Sequence, residues 1–388
     1  MCRQSATVCL VKSPSPQQRE LSGTDVRLRA LPDPRDRRGR RHALVPVLLT
    51  AACAVLAGAR SCLAIGQWAR HAPQDTLARL GFHARGPLGV RSPASPSTVR
   101  RVLVLVCPGG LADLLGHCPA ITESVAVDGK TARGSRTGTR PAAHLLSAVT
   151  AAGRTVSQLR VPDKTNEITG FTALLAPFDL TGTVVSADAL HTQREHAKWL
   201  VEVKRAHYLM VVKGNQPKLH AALKALPWKE VTARRYDRGA GHGRRETRSI
   251  RTLTVTGLGP DFPHVVQAVK ILRHRTDLKT GRVTRQTVHA ITDMTSSQAS
   301  PQLIGRIARA QWGIEAVHHI RDTTFAEDAS TIRTGHGPEN MATLRNLAVN
   351  TLRDAGHRSI AAGLREASYT PFTRPLDLLG LPLTCTTT

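Results

Sequence analysis

Residues 124–135 read SVAVDGKTARGS, an apolar run that leads to a single aspartate. The run of Val and Ala before Asp128 predicts a β-strand, and the Asp-Gly pair predicts that this strand ends there. A second apolar run, GTVVSADAL, predicts another buried strand that ends at Asp188. Because ligands of open α/β sheets bind outside the ends of the strands, we expect the two carboxylates to share one site.

The runs around these two strands predict a mixed α/β sheet. HLLSAVTAA and TVSQLRV follow the first strand after short polar connections, which predicts three successive strands. Strands and helices then alternate, as they do in an α/β fold. From about 215 to 295 the chain is rich in Arg and Gly and alternates like further strands, so we predict a β-rich insertion with a basic surface. A long helix follows and carries Glu315.

The chain outside this core is less regular. Residues 25–118 have helical periodicity and predict a small helical domain that binds DNA or accompanies the DNA-binding core. Within it, residues 43–59 are uncharged, so a signal peptide and a membrane anchor are alternatives. This run is short, rich in Ala and far from the N-terminus, so we predict a buried helix and no membrane partner. Residues 1–24 predict a disordered lead, and residues 356–388 predict a C-terminal tail.

The charge of the chain indicates a polyanionic partner. Lys and Arg number 54 against 28 Asp and Glu, a net charge of +26. Each phosphate that a cation neutralises releases counterions and adds affinity, so we expect nucleic acid binding, although an Arg-rich proteome would produce part of this excess. Aromatic residues make up only 3%, too few for modules that stack bases on exposed rings. The seven cysteines include no CxxC pair, which indicates neither a zinc site nor a disulfide framework and favours a cytoplasmic location.

Three acids form the candidate catalytic site: Asp128, Asp188 and Glu315. Hard divalent cations take oxygen ligands, and a pair of them can activate the attacking oxygen and stabilise the leaving one in phosphoryl transfer. In so basic a chain we therefore predict Mg²⁺ (or Mn²⁺) at these acids. Each acid also has a structural alternative: Asp128 could start a turn, Asp188 could cap a helix, and Glu315 could be a solvated helix residue.

The order of motifs resembles that of a known family. The chain is similar to the ISAs-one type insertion-sequence transposases in the segments AVDGKTARGS, VVSADALHTQREHA, YLMVVKGNQPKL, HGRRETRSI and WGIEAVHHIRDTTFAEDASTIRTG. That group includes the H-repeat-associated proteins and is related to the IS-four type DDE transposases. The resemblance implies an RNase H-like catalytic domain over residues 122–355 with an inserted β-rich domain. It also implies that Asp128, Asp188 and Glu315 are the first, second and third acids.

DNA contacts are expected near the acids, from family motifs for His191, Lys213, Asn215 and Gln216 and from position or charge for the other candidates. The candidates are Lys130, His191, Lys213, Asn215, Gln216, Arg244 and Arg245. Lys130 could instead be a solvated lysine. His191, Lys213, Asn215 and Gln216 could order the acids instead of positioning DNA, and KGNQP could simply form a hairpin turn. The Arg-rich segments at 35–41 and 234–251 are the expected phosphate contacts, with solvated faces as the alternative.

The function that the resemblance implies is DNA transposition. The chain would bind terminal inverted repeats, cut DNA with Mg²⁺, join the 3′-hydroxyl to target DNA and self-associate on paired ends, within the nucleoid. A catalytically impaired or repurposed copy, acting as a DNA-binding repressor or an RNase H-like nuclease, is the alternative. Gln311, Ala316 and His319 depart from the family pattern around the third acid. Glu327 and Asp328 match a downstream acidic pair and are candidates for a supporting role.

Overall fold

A nine-stranded mixed sheet forms the centre of the protein, with helices packed on both faces. The computed structural model describes residues 14–21, 23–117, 123–161, 167–241, 243–255 and 261–381. The strands of the sheet are β3 (Ser124–Ala132), β4 (Ala143–Thr150), β5 (Thr155–Val161), β6 (Val184–Ala187), β7 (His207–Val212), β8 (Arg234–Gly241), β9 (Arg244–Thr254), β10 (Gln267–Asp277) and β11 (Val283–Thr292). A separate two-stranded hairpin consists of β1 (Ala84–Arg85) and β2 (Val90–Arg91).

The helices fall into an N-terminal group, a group between the strands and a C-terminal group. The first group is α1 (Pro16–Glu20), α2 (Thr24–Arg29), α3 (Leu44–Leu56), α4 (Cys62–His71), α5 (Gln74–Arg79), α6 (Pro96–Leu105) and α7 (Pro108–Leu115). The second is α8 (Glu167–Leu175), α9 (Arg194–Lys198) and α10 (Pro217–Ala225). The third is α11 (Pro301–Thr323), α12 (Gly337–Asp354), α13 (Ile360–Tyr369) and α14 (Arg374–Leu378).

The strand order confirms the predicted fold class. The sheet runs β5-β4-β3-β6-β7-β11-β10-β9-β8. β3, β4 and β5 are antiparallel neighbours, and β6 and β7 continue on the other side of β3 as parallel strands. Three antiparallel strands followed by two parallel ones in this order are the core of an RNase H-like fold.

The β-rich insertion extends this core sheet. β11 pairs antiparallel with β7, with His289 opposite Val212, and β10, β9 and β8 follow in turn. The four added strands therefore continue the hydrogen-bonded ladder of the core. We call the strands β8 to β11 the extension.

β3 does not end at Asp128, so that prediction is wrong. β3 continues to Ala132 because β4 pairs with it along its whole length, whereas its parallel partner β6 stops at Ala187. Gly129 therefore lies inside a strand and not in a turn. A Cβ atom at Gly129 would lie 2.6 Å from His144 Nε2 and 2.8 Å from Glu167 Oε1, so this position has no room for a side chain.

Helix α11 crosses one face of the sheet. It begins after Ser300, whose hydroxyl accepts a hydrogen bond from the Leu303 amide, and Pro301 occupies the first helical position. Its apolar side chains pack on the sheet at two places: Ile307 in the cluster of the extension and Ile314 against β3 and β4. The helix that carries Glu315 is thereby held against the core strands.

The N-terminal helices share one hydrophobic core with α12, α13 and α14. α3 is buried along nearly its whole length, as the uncharged Ala-rich run predicts, and the same core includes Leu364 and Leu376. Residues up to 381 are thus packed, and the prediction of a tail from 356 is wrong for this part; residues 382–388 lie outside the described residues. In the described ranges no helix is both long and apolar enough to span a bilayer.

The predicted disordered lead is also corrected in part. Residues 14–21 include α1, and the Arg19 guanidinium lies 5.0 Å from the centre of the Phe178 ring. This long-range contact orders a segment that has no apolar periodicity of its own; residues 1–13 lie outside the described residues.

The cysteines differ in their state. Cys53 and Cys62 carry free thiols, whereas Cys107 is disulfide-bonded, which departs from the expectation drawn from cysteine spacing.

Candidate active site

Asp128 and Asp188 lie side by side because of strand register. In the parallel pair of β3 and β6, Val127 is opposite Ala187, and each is followed directly by an aspartate. Neighbouring strands are about 4.8 Å apart, so successive positions of a matched register place the two acids next to each other. Asp188 leaves the sheet where β6 ends, while Asp128 continues along β3.

Glu315 reaches the same place from α11. One cavity of about 310 Å³ is lined by all three acids, Asp128, Asp188 and Glu315. Glu315 is on the exposed side of its helix, one residue after the buried Ile314. The structure therefore brings together three carboxylates that are far apart in the sequence.

Gln311 attaches α11 to both strands near the aspartates. Its Oε1 atom accepts a hydrogen bond from Ser186 Oγ at 2.8 Å, and its Nε2 atom donates to the Val127 carbonyl at 3.3 Å. Val127 directly precedes Asp128, and Ser186 lies two residues before Asp188. Gln311, one of the three residues that depart from the family pattern, thus fixes α11 to both strands one turn before Glu315.

The surroundings of Asp128 disfavour ionisation of its carboxyl group. Burial, together with the charges of Asp188, Glu167 and Glu315, raises the pKa of Asp128 from an ordinary value of 3.8 to about 6. A hydrogen bond from the Gly129 amide opposes this change only in part. A positive charge beside these acids would therefore be stabilising.

The groups that face Asp128 and Asp188 differ in charge. Lys213 Nζ donates to Asp188 Oδ1 at 2.8 Å. The group facing Asp128 is His318, whose Nδ1 atom lies 3.7 Å from Asp128 Oδ2. Burial, followed by the charges of Arg321 and Lys130, lowers the pKa of His318 to about 3, so this imidazole is neutral at physiological pH. Among the described residues, no lysine or arginine forms an ion pair with Asp128.

The extension supplies a basic wall to the cavity. Arg273 and Arg275 of β10 line it together with Trp312 of α11. The Arg273 guanidinium carbon lies 4.9 Å from the centre of the Trp312 ring, and Glu246 forms ion pairs with both arginines. Sequence reasoning missed these arginines because only the register of β10 shows which of its residues face α11.

Lys130 and His191 are not positioned to contact DNA, so these two assignments are corrected. The Lys130 side chain is 8% exposed, and its ammonium group lies 2.8 Å from Asp322 and 3.5 Å from Asp328. His191 is 1% exposed and packs on the ring of Phe171. Both side chains point into the protein because the last residues of β3 and the turn after β6 are covered by helices.

Lys213, Asn215 and Gln216 hold the loop that follows Asp188. Asn215 Nδ2 donates to the Ala189 carbonyl at 2.6 Å, and Gln216 Nε2 donates to the Thr192 carbonyl at 2.9 Å. With the ion pair of Lys213, these contacts fix the second acid from the end of β7. Their predicted role in DNA binding remains a prediction.

Arg244 and Arg245 lie at the end of the hairpin between β8 and β9 and are exposed.

The downstream acidic pair, Glu327 and Asp328, makes contacts within the protein. Asp328 accepts a hydrogen bond from the Arg133 amide. Glu327 is buried against two arginines and has no route to the cavity. The downstream acidic pair therefore has a structural role in this fold.

Glu167 and His144 form a buried pair behind Asp128 that sequence reasoning missed. His144 Nε2 lies 2.5 Å from Glu167 Oε1, and His191 Nε2 lies 3.5 Å from the other carboxylate oxygen. Burial opposes ionisation, yet the hydrogen bonds from His144 and His191 lower the pKa of Glu167 to about 2. No local pattern reveals this pair, because Glu167 reaches the neighbourhood of Asp128 only through the packing of α8 on β4 and β5.

The three acids suit a divalent cation by chemistry and location. No three His, Cys, Asp or Glu side chains in the described segments are arranged as ligands of a single ion. Mg²⁺ takes one or two carboxylates and completes its shell with water and phosphate, so a full protein cage is not required. Carboxylate oxygens on adjacent strands, one with a raised pKa, match this preference.

An RNase H-like sheet with acids on adjacent strands and on a packed helix is typical of enzymes that cut or join nucleic acid strands. A family described as "Transposase DDE domain" matches residues 120–351, and its associated N-terminal family, "DDE_Tnp_1-associated", matches residues 26–117. The chain therefore belongs to the DDE transposase family, as the motif order predicts.

Similar proteins agree with this membership. The chain is 30% identical to "Putative transposase YncI" of Escherichia coli O157:H7 over 86% of this chain and 88% of that protein. It is 27% identical to "H repeat-associated putative transposase YhhI" of Escherichia coli K12, over 86% of this chain and 91% of that protein. A solved piggyBac transposase synaptic complex with hairpin DNA matches with a TM-score of 0.37 and 10% identity, over 75% of this chain and 58% of that chain, which is too distant to carry an argument.

Proposed function

We propose that this protein is an active transposase that cuts DNA at the ends of its own element and joins them to target DNA. Asp128, Asp188 and Glu315 are the proposed catalytic acids. The single observation that carries the proposal is that these three acids line one cavity although they come from two strands and a distant helix. The arginines of the cavity wall supply the positive charge that a phosphodiester requires.

The residues of the chain divide the work at the scissile phosphate. Lys213, Arg273 and Arg275 surround the acids with cations and would bind the phosphate oxygens. Gln311 keeps α11 in register with the strands, so that Glu315 stays beside the aspartates. The raised pKa of Asp128 means that this carboxyl accepts a proton readily until a cation or a bound ligand stabilises its charge.

Mg²⁺ or Mn²⁺ is the proposed cofactor, and Asp128, Asp188 and Glu315 would hold it. When bound, the metal lowers the pKa of an attacking water and stabilises the charge on the leaving oxygen. The neutral His318 beside Asp128 adds no competing positive charge at neutral pH. The side chains of the site thus leave Asp128 free to serve as a ligand.

The proposed partners are the terminal inverted repeats of the element and a target duplex. The net charge of +26 and the exposed Arg244 and Arg245 support DNA binding outside the cavity. Two ends must be held together for joining, so we propose self-association on DNA, within the nucleoid.

The test is a cleavage assay with the purified full-length chain. The substrate is a plasmid that carries the genomic flanks of the coding sequence, incubated with MgCl₂ or MnCl₂. Asp128→Asn, Asp188→Asn and Glu315→Gln should each lower the rate of nicking at least about 100-fold, since charge stabilisation by the metal contributes several kcal/mol to the barrier. Glu230→Gln removes an exposed acid outside the cavity and should leave the rate within twofold.

The products separate the alternatives. Nicking followed by joining to a second plasmid supports transposition, whereas nicking without joining identifies an RNase H-like nuclease. Binding of the flanking sequences with no metal-dependent nicking identifies a repressor. Nicking that survives all three substitutions would overturn the assignment of the acids.

A further inference from the structure

The extension has two faces that differ in charge. Side chains alternate between the two sides of a strand, so each residue of β8 to β11 belongs to one face. We call the side that packs on α11 the inner face and the opposite side the outer face. The cations of the outer face are Arg234, Arg238, Arg245, Arg251, Lys270 and Arg285.

The inner face balances its cations with acids. Glu246 forms ion pairs with Arg248, Arg273 and Arg275, and Asp237 forms ion pairs with Arg235 and with Arg309 of α11. These contacts hold the wall of the catalytic cavity in place. Four of the five arginines on the strands of the inner face thus have an acidic partner, and Glu246 offsets only part of the positive charge of the three arginines that it contacts.

The outer face contains no acid. The acidic residues of β8 to β11 are Asp237, Glu246 and Asp277, and the register places all three on the inner face. A concave region of about 360 Å³ lies at the centre of the outer face, lined by residues that include Tyr236, Arg251 and Lys270. Six cations around a concavity without a counter-charge form a strongly electropositive surface.

Three exposed cations of the outer face have no ion-pair partner among the described residues. Arg234, Arg238 and Arg285 are exposed, and in the described part of the chain none of them forms an ion pair. Arg251, by contrast, donates to the Trp228 carbonyl, and the Lys270 ammonium lies 5.7 Å from the centre of the Trp228 ring. The unpaired arginines therefore surround a central part of the face in which Arg251 and Lys270 contact Trp228.

The spacing of the arginines suits a phosphate backbone. Arg234 and Arg238 are four residues apart on β8, which is about 13 Å along a strand. One strand of duplex DNA carries about four phosphates over that distance. Arg285 lies three strands away on β11, about 14 Å across the sheet. The face can therefore contact several phosphates at once.

We propose that the outer face binds the backbone of a DNA duplex segment other than the one at the catalytic cavity, without reading its sequence. The choice of DNA as the polyanion rests on the proposed function. The inner and outer faces point in opposite directions, so a straight duplex at the cavity cannot reach the outer face. The outer face thus gives the protein a second point of attachment to DNA.

The test compares two variants of the full-length chain that lose the same charge. The first is Arg234→Gln/Arg238→Gln/Arg285→Gln on the outer face. The matched control is Arg205→Gln/Arg358→Gln/Arg365→Gln, three exposed arginines that lie outside the extension and outside residues 25–118. Affinity for a fluorescent 30-base-pair duplex of arbitrary sequence is measured by anisotropy in EDTA, over a range of NaCl concentrations.

The outer-face variant should lose about one unit of salt slope for each phosphate contact removed, so about two to three units in all. At 100 mM NaCl its affinity should fall about tenfold or more, while the control changes less than about threefold. The triple Arg→Lys variant at the same outer-face positions keeps the charge and should restore the slope. Scrambling the duplex sequence should not alter the difference between the two variants.

Several outcomes would overturn the proposal. Equal loss in the outer-face variant and the control would show that net charge alone is responsible. An unchanged slope in the outer-face variant would show that DNA does not contact this face. A change in oligomeric mass of the variant without DNA, measured by light scattering, would assign the face to a second copy of the chain.

The same binding assay separates this proposal from the proposed function. Asp128→Asn should keep the parental salt slope while it loses nicking. If Asp128→Asn still nicks, the catalytic assignment fails and the outer-face result stands by itself. If the slope of the outer-face variant is parental while the three acids prove essential, only the outer-face proposal fails.

Discussion

Asp128 and Glu327 are two buried or partly buried carboxyl groups beside the same helix, and their surroundings differ in charge. Glu327 accepts hydrogen bonds from Arg321 at 2.7 and 3.0 Å and from Arg345 at 2.9 Å. Although burial opposes ionisation, these two arginines lower the pKa of Glu327 to about 2. Asp128 instead faces other acids and a neutral histidine, so burial, together with the charges of these acids, raises its pKa to about 6.

The difference separates a structural acid from a functional one. The fold supplies Glu327 with its own cations, so the ion cluster is complete within the protein. The fold supplies Asp128 with more negative charge, so the group is stable as an anion only when something positive arrives from outside. A carboxyl group that lacks a cation in the folded chain is therefore a stronger indicator of a ligand site than burial alone.

Replacement of Glu327 should have the largest effect on stability. Glu327→Gln leaves the fully buried Arg321 and the buried Arg345 without a counter-charge, which should lower the free energy of unfolding by about 3–5 kcal/mol. Urea denaturation followed by circular dichroism measures this change. Glu366→Gln, which breaks an exposed pair with Arg374, is the control and should cost at most about 1 kcal/mol.

A small effect of Glu327→Gln would contradict the comparison. If the variant loses less than the control, the cluster of Glu327 with its arginines is not a structural element. If it keeps full stability but loses nicking, Glu327 belongs to the catalytic machinery after all.

Replacement of Asp128 should act in the opposite direction on stability. Asp128→Asn removes a carboxylate that its neighbours repel, so the free energy of unfolding at pH 8 in EDTA should rise by about 1–2 kcal/mol, allowing for the exposed third of the side chain. Because the folded chain holds this proton more tightly than the unfolded chain, stability of the parent protein falls as pH rises from about 4 to about 6. The gain in free energy of unfolding of Asp128→Asn over the parent protein should therefore be absent below about pH 4 and fully present above about pH 6.

Asp188→Asn is the matched control for this measurement. Asp188 is about half exposed and paired with Lys213, so its replacement should not be stabilising. A gain for Asp188→Asn equal to that for Asp128→Asn, or a gain that does not change between pH 4 and 6, would show that Asp128 is not the strained group.

Divalent cations should give the smallest effect. At pH 8, MgCl₂ at about three times its dissociation constant should stabilise the parent protein by about 0.8 kcal/mol. Asp128→Asn should gain much less, with KCl of matched ionic strength as the reference in thermal melts. An equal gain in both proteins would place the cation elsewhere.

The sequence predicts those parts of the site that depend on local patterns. Asp128 and Asp188 follow apolar runs, and such runs identify strands without knowledge of the partner strand. The end of β3 at Ala132 was not predictable in this way, because it is set by pairing with β4. Glu315 was found because it lies in a long periodic segment and in a motif shared with a family. The mixed sheet, the β-rich insertion and the family were predictable for the same reasons.

The rest depends on contacts that no local pattern reveals. Lys130 is two residues beyond Asp128, and nothing near it indicates that Asp322 and Asp328 of a distant segment neutralise it. Arg273 and Arg275 differ from their neighbours only in the face of β10 that they occupy, which is fixed by register across three strands. The first residues of the described chain and the segment after 356 are ordered by packing against distant helices, so composition alone misassigned them.

β8 is an edge strand of the sheet, and the backbone groups along its free edge have no partner strand among the described residues. An open edge of this kind invites hydrogen bonding between copies of a chain and is a common start of aggregation. β8 carries Arg234, Arg235 and Arg238 together with glycines at 239 and 241, a composition that repels a like-charged copy and pairs poorly. Arg234 and Arg238, which we propose to hold DNA, thus also disfavour pairing of this edge with a second copy of the chain.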